Sequence, residues 1–299
     1  MSKVVVVGSI NVDLCCYLDR WPKVHETVKS RAFKQFLGGK GANQAVAAAR
    51  LGGDVTFIGA IGRAAYADFA ETALKAEDLS LDLVEFADEP TGMAFIDIGP
   101  KSENIIRLVG GANAALGAAD IEAREAAFEG ASVLLLQNEV SEAVCSAAAR
   151  LARKHGAMVV MDPAPSPPQP WHREITDGFD LFKPNAVEAS LYCGFVPQSQ
   201  EEGARAATAI AERLGCAALV TMGGDGVAWF RDGQTGWMDA PDVTPVDTVG
   251  AGDCFSGALA VALVEGMPWD DAVAFAAQAA SLSTTREGAM ASLPRRAEL

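Results

Sequence analysis

The residues best suited to chemistry lie late in the chain, in Asp247-Thr248-Val249-Gly250-Ala251-Gly252-Asp253. Two glycines stand directly before an apolar run, Cys254-Phe255-Ser256-Gly257-Ala258-Leu259-Ala260, that reads as a helix. The N–H groups of Ala251, Gly252 and Asp253 then project from the first turn, where the helix offers them no partner. The helix dipole favours an anion at that end. An aspartate beside a bound anion is repulsive. The pairing makes sense if the anion is a transferring phosphoryl group and Asp253 takes the proton of the attacking hydroxyl. The plain alternative is a Gly-rich loop with Asp253 as a helix N-cap. The stretch alone leaves both open.

A second Gly-rich turn, Gly38-Gly39-Lys40-Gly41-Ala42-Asn43-Gln44, precedes an alanine run ending at Leu51-Gly52-Gly53. Alanine is the strongest helix former, so another helix N-terminus is predicted here. It is no Walker A loop, because Gly41 follows Lys40 where Ser or Thr is required. No Gly-x-Gly-x-x-Gly follows the first strand, so the dinucleotide fingerprint fails too. Polar residues also fall at predicted strand ends: Asn11 and Asp13, Glu139, Asn185 and Glu188, and Thr221. In open α/β sheets that edge is where ligands sit, although Asn and Asp are common in ordinary turns as well.

These residues need a scaffold. Lys3 to Ile10 is a β-branched run that reads as a strand buried on both faces. Further strands are predicted at 54–61, 131–137, 157–161, 181–182 and 216–221. Helices are predicted at 66–76, 120–128 capped by Asp120, 141–155 capped by Ser141, 202–214 and 270–283, with a hairpin over 227–238. Strands alternating with helices imply a three-layer α/β/α domain on a mostly parallel sheet, spanning residues 1–299. Short strands at about 14–37 and 91–109 break that rhythm. The second pair is joined by Gly99-Pro100-Lys101-Ser102-Glu103. They predict a small separate β-sheet, a lid or dimer surface, with an edge extension of the main sheet as the alternative.

Composition limits the partners. The 299 residues carry 39 acidic and 24 basic side chains, net −15, without a basic run. Nucleic acid and anionic membranes are therefore poor partners, and no apolar run is long enough for a membrane span. Six scattered cysteines and three histidines indicate neither a disulfide framework nor a zinc site. With no basic leader segment before the first strand, this predicts a cytoplasmic protein.

The two Gly-rich motifs, in this order and at this separation, resemble the paired signatures of the ribokinase-like (phosphofructokinase B-type) carbohydrate kinases. The likeness covers almost the whole chain. Gly8-Ser9-Ile10-Asn11-Val12-Asp13 and Gly110-Gly111-Ala112-Asn113-Ala114-Ala115-Leu116 are most similar to the ribokinase branch. The resemblance implies ATP-dependent phosphorylation of D-ribose at O5. Asn11, Asp13, Gly39, Lys40, Asn43 and Glu139 would bind the sugar, and Asp253 would be the base. Gly250, Ala251 and Gly252 would shape the anion hole with Asp253. Asn185 and Glu188 would arrange Mg2+ and phosphate through water. Thr221, Gly223, Gly226 and Gly252 would line the nucleotide. A monovalent cation, K+, would take oxygens from Asp247, Val249, Ser283, Arg286, Gly288 and Ser292. The apolar lid strands, with the unsatisfied edges of a small sheet, predict a homodimer through the β lid. Two departures bear on specificity: Arg63-Ala64-Ala65 replaces an acidic segment on the sugar side, and Ala277 stands where a polar residue is common near the adenine. Another sugar, a sugar acid or a nucleoside is the alternative acceptor. A sugar-binding regulator without turnover is the alternative of a different class.

Overall fold

A computed structural model describes residues 3–101, 103–171 and 173–299; Ser102, in the loop expected to join two lid strands, lies outside the described residues. Among the described residues the strands are β1 Lys3–Val7, β2 Asn11–Tyr17, β3 Ala32–Gly38, β4 Val55–Gly62, β5 Ser80–Phe86, β6 Gly92–Ile98, β7 Asn104–Val109, β8 Ala131–Gln137, β9 Met158–Asp162, β10 Leu181–Phe182, β11 Ala217–Thr221, β12 Val227–Arg231 and β13 Gln234–Met238. Nine form one sheet in the order β13-β12-β11-β10-β9-β8-β1-β4-β5. It is parallel from β11 to β5 and ends in the antiparallel hairpin β12–β13.

The valines of β1 explain the three layers. Val4 and Val6 point into one hydrophobic core, Val5 and Val7 into the other, and all four are fully buried. A strand covered on both faces has no polar side, which is why its sequence does not alternate. Helices Lys40–Arg50, Ala251–Val264 and Trp269–Ser283 pack on the first face, and Glu142–Lys154 and Gln200–Leu214 on the second.

The helices Lys40–Arg50 and Ala251–Val264 touch almost backbone to backbone. A Cβ added at Gly257 would stand 2.7 Å from both Ala47 Cβ and the Gln44 carbonyl oxygen. Small residues on both helices permit this approach, and it carries Asp253 to the start of the first helix.

β3-β2-β6-β7 form a separate four-stranded sheet. β2 pairs antiparallel with β3 and parallel with β6, and β7 closes the far edge. It is a second sheet and not an edge extension of the first.

Several expectations need correction. Asn11 and Asp13 do not trail the first strand; they lie on β2, so the lid begins at Asn11 and its first hairpin runs to Gly38. The edge strand β5 was not anticipated. It is half-exposed, and Asp82 and Glu85 interrupt its apolar pattern. The expected helix from Asp120 to Phe128 is two short pieces, Ala118–Glu122 and a 3-10 turn Glu125–Phe128. Gly117 is its N-cap, and Asp120 accepts the Gly117 N–H at 2.9 Å. Ser141 does cap its helix, accepting from the Val144 N–H.

Candidate active site

The first turn of Ala251–Val264 is built as the glycines suggest. Gly250 is the N-cap with φ 80°, a left-handed conformation that glycine adopts without a Cβ penalty. Asp253 is therefore the third helical residue and not a cap. Its carboxylate turns away from its own helix: Asn43 Nδ2 donates to Oδ2 (2.9 Å) and Gln44 Nε2 to Oδ1 (3.1 Å). Burial raises its pKa, while Lys40 and these two amides oppose the rise.

On one side of Asp253 the residues expected at the sugar converge. Gly39, with φ 90°, is the N-cap of Lys40–Arg50. Glu139 Oε2 accepts from Ser9 Oγ (2.5 Å), the Lys40 N–H (3.0 Å) and Asn11 Nδ2 (3.3 Å). Asn113 braces Asn11 from behind, donating to Asn11 Oδ1 and the Ile10 carbonyl at 2.9 Å. Asp13 lies against Gly38, where a Cβ would meet its Oδ2 at 2.4 Å. Burial, then the charges of Glu139 and Asp253, push its carboxyl up to about 7. Burial works against the charge on Lys40, but Asp253, Asp162, Glu139 and Glu188 outweigh it and hold the ammonium above its ordinary value. Asn43 Oδ1 is buried and has no hydrogen-bond partner among the described residues. A buried acceptor left open is a place for a donor from a ligand.

On the other side lies a groove of about 490 Å³. Thr221, Gly223, Gly226 and Gly252, expected at the nucleotide, line it, together with Asn185, expected at Mg2+ and phosphate, and with Ala251 and Ala277. Asn185 caps the helix Ala186–Cys193. It accepts the Glu188 N–H and donates its own N–H to Glu188 Oε2, both at 2.9 Å. Burial, reinforced by Asp162, raises the pKa of Glu188.

Of the residues expected around a cation, Asp247, Val249 and Gly288 are brought together. Asp247 accepts the Val249 N–H through Oδ1 (3.0 Å) and the Gly288 N–H through Oδ2 (2.9 Å). The Val246 and Asp247 N–H groups donate to the Thr284 carbonyl, so segments 246–249 and 284–288 are tied together. Ser283 and Ser292 are buried and donate to carbonyls of their own helices. The Arg286 guanidinium pairs with Glu298.

Sequence reasoning missed a layer beneath Asp253. Asp162, Lys183, Gln44, Gln137 and Ser256 are all buried. Asp162 ends β9 and Lys183 follows β10, so both carry the signal that marked Glu139 and Thr221: polar residues at strand ends.

A buried carboxylate between a polyol-type pocket and a groove at a helix N-terminus, on a three-layer α/β/α scaffold, defines a kinase for a small hydroxyl compound. The model of the pfkB family carbohydrate kinases matches residues 1–296. The chain belongs to the pfkB family of carbohydrate kinases. It is 35% identical to the ribokinase of Haemophilus influenzae over 98% of this chain and 95% of that one. It is 32% identical to the deoxyribokinase of Salmonella typhi, covering 97% and 95%. The structure of Arabidopsis thaliana ribokinase complexed with ribose and ATP matches with a TM-score of 0.89 at 33% identity, over 99% of this chain and 97% of that one.

Proposed function

We propose that the chain transfers the γ-phosphoryl group of ATP to the primary 5-hydroxyl of D-ribose, giving D-ribose 5-phosphate. The observation that carries this reading is the place of Asp253. Its carboxylate is bonded to the helix of the sugar-side motif, while Ala251 and Gly252 of the same turn line the groove. An alcohol is a weak nucleophile at neutral pH. A carboxylate whose proton affinity burial has raised is the better base for it.

Asn11, Asp13, Gly39, Lys40, Asn43 and Glu139 hold the sugar hydroxyls, and the open Asn43 Oδ1 accepts one of them. The N–H groups of Ala251, Gly252 and Asp253 meet the negative charge that builds on the phosphoryl oxygens. Thr221, Gly223, Gly226 and Gly252 line the nucleotide. Asn185 and Glu188 offer amide and carboxylate oxygens, a set that suits Mg2+ with its retained waters. Mg2+ bound there would neutralise phosphate charge during transfer. The oxygens of Asp247, Val249, Ser283, Arg286, Gly288 and Ser292 suit K+, which would stiffen the Gly250 turn.

The lid supports a homodimer. Phe33, Ile105, Ile106 and Leu108 are each more than half exposed, and β7 is an uncovered edge. The six free cysteines suit a reducing compartment, the cytoplasm. Light scattering of the intact protein and of Ile106→Glu tests the dimer.

An acceptor panel with ADP release as readout tests the main reading: D-ribose is turned over fastest. No turnover of ribose above background sinks it. The panel includes 2-deoxy-D-ribose, because the deoxyribokinase relative matches over nearly the same span.

A further inference from the structure

A pair of opposite charges lies beneath the proposed base. The Lys183 ammonium is 3.0 Å from Asp162 Oδ2, and the two side chains are only 3% and 5% exposed. The same ammonium donates to the Gly252 carbonyl (3.3 Å) and stands 5.9 Å from the centre of the Phe255 ring. Asp162 Oδ2 also accepts from Gln44 Nε2 (3.1 Å) and Ser256 Oγ (3.2 Å). Ser256 Oγ reaches the Gly252 carbonyl as well (3.1 Å). Gln137 Nε2 donates to Gln44 Oε1 (2.8 Å), which turns the NH2 end of Gln44 toward both Asp162 and Asp253. A buried ion pair adds little stability over a well-packed apolar pair. What this pair holds is the more informative question.

We propose that Lys183 and Asp162 are a positioning pair for phosphoryl transfer: Lys183 fixes the Gly252 peptide of the anion hole, and Asp162 fixes the Gln44 amide that orients the Asp253 carboxylate. The inference rests on the kinase reading above. The charges act together with the bonds. Lys40 and Asp162 face Asp253 from the helix Lys40–Arg50 and from β9. Asp13 faces it from β2, and Lys40, which faces it too, is itself faced by Glu139 and Glu188. The Asp162 charge opposes ionisation of Asp253, and the Lys183 ammonium stands 3.0 Å from that charge.

Steady-state kinetics across pH on the intact protein test the pair. Asp162→Asn leaves Lys183 uncompensated, so the acid limb of kcat moves down by roughly one pH unit. Lys183→Met moves it up and lowers kcat by about a hundredfold, a loss of the size seen for a missing anion-hole donor. Sugar KM stays within about twofold in both, because neither side chain bonds to a sugar-side residue other than through Gln44. The double variant Lys183→Met/Asp162→Asn returns the limb to its original position. It carries no unpaired buried charge, so it decides the matter even where Lys183→Met does not fold. An acid limb that stays in place in Asp162→Asn, or a sugar KM that rises in step with the kcat loss, overturns the proposal. The ratios are read on whichever sugar the wild type accepts, so rejection of ribose by the wild type tells against the ribose reading alone.

Discussion

On one side of Asp253 stand polar side chains already held by hydrogen bonds: buried Asn43 and Gln44 to Asp253 itself, and buried Asn113 to Asn11, which in turn donates to half-buried Glu139. On the other side is a groove lined largely by small residues, among them Gly223, Gly224, Gly226, Ala251, Ala277 and Ala280. The two materials select differently. A pre-bonded polar pocket rejects a ligand that lacks a hydroxyl, because a buried group is then left unpaired. A groove of backbone and small side chains accepts by shape and main-chain contact, and is easily altered by added bulk. The sugar side should therefore govern specificity and pH response, and the nucleotide side should tolerate change at modest cost to ATP affinity. Asp253 and its glycine turn belong to both.

The largest effect is expected where the two sides meet. Asp253→Asn should lower kcat by about 10²–10⁴-fold, the range for a lost general base, with sugar binding by calorimetry largely kept. A flip of the Asn43 amide lets its free Oδ1 accept from the new NH2 group, so the fold should survive. Unchanged turnover refutes the base assignment.

Gly250→Ala should come next. Its Cβ would meet Ala289 Cα at 3.0 Å, in a backbone with φ 80°. A stability loss of about 1–2 kcal/mol is expected, read as a lower Tm, with kcat down roughly tenfold as the donors shift. A fall in sugar affinity equal to the fall in kcat would break the distinction between the turn and the sugar pocket.

A smaller effect should appear on the sugar side with pH. The Asp13 carboxyl titrates at about 7 in the folded chain against 3.8 ordinarily. The folded state thus holds this proton while the unfolded chain has lost it. Its contribution to stability declines as pH rises from about 4 to about 7 and is flat above. Asp13→Asn should remove that part of the slope, raising Tm relative to wild type at pH 8 more than at pH 5. Ionised Asp13 is the better acceptor of sugar hydroxyls, so sugar KM should fall as pH rises through 7 and ATP KM should not follow it.

The smallest effect is expected in the groove. Ala277→Leu should raise the KM for ATP severalfold by occupying groove volume, leaving sugar KM unchanged. An equal change in both would mean that the two sides are not independent.

Much of this architecture is legible in the sequence where a rule is local. The four-valine run of β1, the Ser141 cap and the Gly250 turn each follow from a few adjacent residues. The legible part ends where neighbours in space are distant in sequence. β5 is missed because an edge strand needs only one buried side, so its apolar pattern is weak. Asn11 and Asp13 are read as the end of the first strand because nothing local says that β1 ends at Val7 and a new sheet starts four residues later.

The sequence by itself determines the three-layer class, the two glycine turns and the identity of Asp253, because backbone conformation and side-chain chemistry are set residue by residue. Only the tertiary structure decides what Asp253 faces. The close contact of two small-residue helices at Gly257 and Ala47 brings Asn43 and Gln44 onto its carboxylate. Two strand ends place Asp162 and Lys183 below it. Hydrogen bonds across more than two hundred residues of chain are fixed by packing geometry, which no local run of sequence encodes.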